Sequence, residues 1–150
     1  MLVAWVAALS GCTPLGFWVY GDPAVTVARV RLDPDEIGGS QVAVALAVKN
    51  PNDYPLTTAR VELLLQLDGT RFGWYERDST LPVAKSVTSS VALPLVLESR
   101  LTRAQLEALQ TGDHKYAVAG RIIFQTPFGK RRVRFADAGA MRFAPTGRGV

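Results

Sequence analysis

The chain has one cysteine and one histidine in 150 residues. A lone cysteine excludes an intramolecular disulfide framework, and one Cys with one His is too few for a structural zinc set. Charge is sparse, with 20% charged against 48% hydrophobic residues, so the bulk of the chain is not disordered. A glycine-rich phosphate loop is also lacking. Gly38-Gly39 lies between strand-like segments with no helix after it, which excludes a dinucleotide-binding turn. Long apolar runs are missing too: the opening one, Met1 to Leu9, is less than half of the ~20 residues a spanning helix needs. What remains is enough for one domain, since a chain of this size buries roughly two-thirds of its unfolded surface. The net charge is +4, and Lys130, Arg131, Arg132, Arg134, Arg142 and Arg148 gather its cations late in the chain.

The first residues carry a specific chemistry. Residues 1–11 hold no charged side chain and fit the apolar region of a signal peptide, although only the Met1 α-amine supplies the usual opening positive charge. They end in Leu9-Ser10-Gly11-Cys12, which resembles the bacterial lipobox. The thiol is the nucleophile that a diacylglycerol donor alkylates, and the small Ser10 and Gly11 let a peptidase reach the bond before Cys12. The freed amine is then open to acylation, and two or three chains anchor stably where one does not. The alternative is an apolar Cys on a first strand. Thr13 stands where an Asp often retains a lipoprotein at the inner membrane of Gram-negative cells. The expectation is therefore an outer-membrane anchor facing the periplasm. Residues 12–24, with two Pro and two Gly, read as the lipidated tether.

From 25 to 144 the pattern alternates with period two, the mark of half-buried strands. Val25, Val27 and Val30 open a strand ending at Leu32, followed by a loop over 33–40. Val42, Val44, Leu46 and Val48 share one face of a second strand, with Ala43, Ala45 and Ala47 opposite. Asn50-Pro51-Asn52 stops it as a structural turn, because Pro51 lacks an N–H and Asn side chains bond nearby backbone. A third strand covers about 58–68, with Val61, Leu63, Leu65 and Leu67 on one face, and Asp68-Gly69 predicts a hairpin into Arg71–Tyr75. A long strand over 87–98 places Val87, Val91, Leu93, Leu95 and Leu97 together, while Pro94 marks an edge or a bulge. Ser99 or Thr102 caps a short helix, about 102–111, closed by Gly112. Tyr116, Val118, Ile122 and Phe124 lead into the turn 126–129, Val133 and Phe135 return, and Ala140–Phe143 adds a last short strand. Residues 145–150 read as a disordered tail. About seven strands with one short helix imply an all-β antiparallel sandwich.

These residues resemble the type 2 late embryogenesis abundant proteins, also called the water-stress and hypersensitive-response (WHy) domain. The similarity rests on the alternating strand ending in Asn50-Pro51-Asn52, then Tyr54-Pro55-Leu56, Asp68-Gly69, the long strand near 87–97, the helix ending at Gly112, and Tyr116-x-x-x-Gly120 before Phe128-Gly129. It covers about 25–143. The resemblance implies a fibronectin type III/immunoglobulin-like sandwich, a link to desiccation or osmotic stress, and frequent lipoprotein anchoring among bacterial members. It carries over no catalytic residue and no cofactor.

The residues themselves offer little catalysis. His114 reads as a solvated residue of the turn Gly112–Lys115. Asp33, Asp35 and Glu36 lack the alternating ligand pattern of a calcium loop and read as solvated, so no metal is expected. Lys130, Arg131, Arg132 and Arg134 have two readings: a charged face that blocks edge-to-edge pairing, or contact with anionic lipid headgroups or cell-envelope polymer. Nucleic acid is excluded by the low net charge and the compartment. The expected function is a non-enzymatic, membrane-anchored lipoprotein of the envelope. The alternatives are an adaptor docking a partner protein, or a carrier holding a small apolar ligand beside Ala43, Ala45 and Ala47.

Overall fold

Alternating apolar residues build two antiparallel sheets whose buried faces meet. The computed structural model describes residues 19–37 and 40–143; Cys12, the lipobox residues Leu9, Ser10 and Gly11, and the 145–150 tail lie outside the described residues. In chain order the strands are β1 (Ala24–Ile37), β2 (Ser40–Lys49), β3 (Leu56–Leu67), β4 (Thr70–Asp78), β5 (Pro82–Val83), β6 (Thr88–Pro94), β7 (Val96–Leu97), β8 (His114–Thr126) and β9 (Gly129–Met141), with helix α1 (Arg103–Leu109) before β8. One sheet has the order β1-β2-β6; the other has β7-β4-β3-β8-β9, with β5 paired to the start of β3. Every pairing is antiparallel. This is the expected all-β sandwich with one short helix.

The core follows from the period of two. Val42, Val44, Leu46 and Val48 of β2 and Val61, Leu63, Leu65 and Leu67 of β3 are all buried, against Leu93, Val118, Ile122 and Phe124. Each such side chain contributes about 1.5–3 kcal/mol on burial. Asp68 and Gly69 both have positive φ, 49° and 80°, the pair of left-handed residues a two-residue hairpin demands. Gly120 is required by a close approach: a Cβ there would come within 2.5 Å of the Glu62 carbonyl and of the Phe135 ring. Thr102, not Ser99, caps α1; its hydroxyl accepts from Gln105 N–H, and the Gln105 side chain accepts from Thr102 N–H in return.

Four boundaries differ from expectation. The single strand over 87–98 is two strands in different sheets. β6 pairs with β2, Leu95 N donates to Val42 O at 2.9 Å, and β7 pairs with β4. Pro94, with no N–H, ends β6 at the sheet edge, and the chain crosses there. Val87 is consequently outside the core, half exposed. β1 runs on through 33–37 after a register break beyond Leu32. The strand after Asp68-Gly69 extends to Asp78 because β3 offers it a long partner. Residues 140–141 belong to β9 rather than to a separate strand.

The registers define two ends of the sandwich. Ala24 pairs with Lys49, Lys49 with Thr88, Leu56 with Val83 and Thr57 with Gln125. The start of β1, the loop 50–55, the loop 84–87 and the hairpin 126–129 therefore share one end, the tether end. The 68–69 hairpin, the start of β8 and the end of β9 share the other.

Candidate functional site

At the tether end the Asn50-Pro51-Asn52 turn is the centre of a buried amide network. Asn50 is wholly buried. Its Nδ2 donates to Tyr54 O at 2.8 Å and to Val83 O at 3.5 Å, and its Oδ1 accepts from Asn52 N at 3.0 Å and Asn52 Nδ2 at 2.8 Å. Both donors and both lone pairs of the side chain are thus used. Asn52, also buried, reaches the incoming chain: its Oδ1 accepts from Gly21 N at 2.8 Å and its Nδ2 donates to Gly21 O at 2.9 Å. One side-chain amide thus holds both backbone polar groups of one residue. Gly21 suits the place, since a Cβ there would stand 3.0 Å from Pro51 Cγ. The turn was expected to bond its own backbone; it also binds residues 31 positions away.

The basic hairpin is divided between the two faces of its sheet. Directly paired strand residues share a face. Lys130, Arg132 and Arg134 pair with Gln125, Ile123 and Arg121, on the outer face of the larger sheet. Arg131 pairs with Phe124 on the opposite face, and its guanidinium lies 5.7 Å from the Tyr20 ring centre. It covers the incoming chain just before Gly21. Among the described residues no carboxylate pairs with Lys130, Arg132 or Arg134.

Across the same outer face runs an ion ladder that sequence spacing did not reveal. Glu62 accepts from Arg121 Nε at 2.5 Å and Nη2 at 2.9 Å, and from Arg60 Nε at 2.7 Å. Arg60 also reaches Glu76, and Asp78 at 2.8 Å. Arg121 first, then Arg60, hold the Glu62 carboxyl down at about 2. Beside the ladder lies an open groove of about 410 Å³ on that face, with Leu64, Trp74 and Ala119 as its floor and Arg71 stacked 5.0 Å from the Trp74 ring centre. Ala43, Ala45 and Ala47 stand opposite the buried Val42–Val48 face, so they do not line space between the sheets.

His114 is not the solvated turn residue expected. It is the first residue of β8, its side chain 16% exposed, with Nδ1 2.8 Å from Asp68 Oδ2. The ring stands 6.0 Å from that of Phe143. The hydrogen bond to His114, then that from Lys115 N–H, lowers the Asp68 carboxyl. Nε2 is buried with no hydrogen-bond partner among the described residues, so none of their hydroxyls bonds it as a triad would require. The described residues hold no group of three His, Cys, Asp or Glu that could bind a metal ion, and no helix among them is long and apolar enough to cross a membrane.

The sequence model described as late embryogenesis abundant protein matches residues 45–139, from mid-β2 into β9. Among curated protein sequences nothing matches this chain. Among solved structures, that of AT1g01470 from Arabidopsis thaliana is similar at 11% identity and a TM-score of 0.55, over 86% of this chain and 82% of that one. A protein from Archaeoglobus fulgidus is similar at 11% identity and a TM-score of 0.46, over 85% of this chain and 99% of that one. At such identity the structural likeness speaks to fold alone.

Proposed function

Since this chain belongs to the late embryogenesis abundant protein family, we propose that it is a lipid-anchored, non-enzymatic envelope protein of the WHy kind that supports survival of desiccation or osmotic stress. The observation that carries this reading is the clasp on Gly21, nine residues after Cys12. It fixes the point where the chain leaves the sandwich, so the segment between anchor and domain is short. Acylation of Cys12 through the Leu9-Ser10-Gly11 lipobox then holds the domain close to one membrane, the outer membrane facing the periplasm in a Gram-negative cell. The polar chemistry on the domain is structural in character: a satisfied amide network and ion pairs, with no nucleophile bonded to His114 among the described residues. Lys130, Arg132 and Arg134 remain available to anionic headgroups or cell-envelope polymer.

Intact mass of the protein extracted from membranes tests the anchor. The expected species begins at Cys12 and carries two or three acyl chains; a chain beginning at Met1 with a free thiol overturns the anchor. Survival of drying by a deletion strain tests the stress role, and undiminished survival counts against it.

A further inference from the structure

We infer that the tether end of the sandwich is a membrane-apposed surface that rests on an anionic bilayer, with Val19, Val87 and Phe128 at the apolar boundary of the headgroups. The inference rests on the anchored reading of Cys12 and adds an orientation to it.

The apolar residues come first. Four large hydrophobics are conspicuously exposed among the described residues, and three of them are at this end: Val19 at 79%, Phe128 at 51% and Val87 at 50%. Their positions follow from the fold. Val19 stands two residues before the Gly21 clasp. Val87 O accepts from Asn50 N at 3.4 Å. Phe128 is the tip of the β8–β9 hairpin, where its N–H donates to Thr126 Oγ1 at 3.1 Å, so the backbone holds the ring outward. Three unconnected stretches of chain each place one apolar side chain on the same end. Scattered exposed hydrophobics need no cause, but a cluster does.

Charge points the same way. Lys49 ends β2, Lys85 sits in the loop before β6, and Lys130 follows the hairpin tip, all exposed. Arg131 adds a fourth cation above Tyr20. Asp22 and Asp53 are the exposed carboxylates of the tether-end segments 19–23, 50–55, 84–87 and 126–131. Apolar tips ringed by Lys and Arg are the pattern of a surface seated at an anionic headgroup layer.

The tether limits the alternatives. Cys12 precedes Val19 by seven residues, a reach of about 25 Å at full extension. The twelve residues of β3 separate the two ends by about 36 Å. The far end therefore cannot face the bilayer head-on while Cys12 is in it, and the tether end can.

Depth-dependent quenching tests the orientation on the full acylated protein. Acylation consumes the Cys12 thiol, so a cysteine introduced by Pro127→Cys at the tether end, or by Thr70→Cys at the far end, is the sole site for a thiol-reactive fluorophore. Vesicles contain phosphatidylethanolamine and phosphatidylglycerol at about 3:1, doped with lipid bearing a nitroxide at the headgroup. Quenching several-fold stronger at position 127 than at 70 is expected. Replacing phosphatidylglycerol by phosphatidylcholine, or combining Lys49→Gln, Lys85→Gln and Lys130→Gln, should shrink the difference. So should Phe128→Ser with Val87→Ser. Equal quenching at both positions, or the reverse order, overturns the surface. Two labels per chain would report a free Cys12 and overturn the anchor instead. The surface is then judged in a Cys12→Ser background on the same vesicles, where affinity should fall about fivefold per cation removed and an unchanged affinity overturns it.

Discussion

Two polar networks hold this sandwich, and they are built on opposite principles. The tether end uses neutral amides, Asn50 and Asn52, fully buried and fully bonded. The outer face of the larger sheet uses ions, Arg60, Glu62 and Arg121, at the edge of water. A buried amide has no solvent to fall back on, so each lost partner costs about 1–3 kcal/mol. An exposed ion pair trades water for a neighbour at nearly even terms, with a net of about 0–1 kcal/mol. The two networks have similar bond counts and very different stakes. The buried amides carry no charge for salt or pH to act on, and the face that meets solvent is where conditions act.

The largest expected effect falls on the amide network. Asn50→Ala removes four hydrogen bonds and strands Asn52 N inside, so stability should fall by about 3 kcal/mol, read from the urea midpoint. A loss below that of a surface substitution would erase the contrast. Asn52→Ala should cost about 1–2 kcal/mol, and hydrogen exchange should show loss of Gly21 amide protection with the β1–β2 amides unaffected. Glu62→Gln should cost about 1 kcal/mol or less at pH 7. The folded carboxyl titrates at about 2 against an ordinary 4.5, so its stabilisation is present above pH 4.5 and is lost as pH falls towards 2. The variant should therefore show a flatter acid limb in a thermal-denaturation series, and the Asn52→Ala limb should keep its wild-type slope. Arg134→Gln, which breaks no ion pair among the described residues, should change stability by less than about 0.5 kcal/mol, while it lowers retention on an anionic resin.

The elements that were legible in the sequence are those fixed by neighbours. Val42–Val48, the Asp68-Gly69 turn and the Thr102 cap need only residues a few positions apart, and all three stand where the pattern puts them. What escaped needs a partner far along the chain. The split at Pro94 depends on β6 and β7 belonging to different sheets. Gly21 meets Asn52, Gln41 clasps Leu101 N and O across 60 positions, and Arg131 turns away from Arg132 to cover Tyr20. His114 shows the same limit: a polar turn composition hid a residue that the Asp68 hairpin half-buries. The Asn50-Pro51-Asn52 tripeptide was visible as a turn, but its grip on the incoming chain was not.

That grip has a mechanical consequence. β1 starts at the tether end and runs away from it, so a pull on the residues before Val19 is directed along its axis. Such a load would shear the β1–β2 ladder all at once rather than peel it bond by bond. Ahead of the ladder stand the two Gly21–Asn52 bonds, backed by Asn50, which ties Asn52 to the loop after β2 and to β5. Tension on the incoming chain is thereby spread into both sheets before any strand can move.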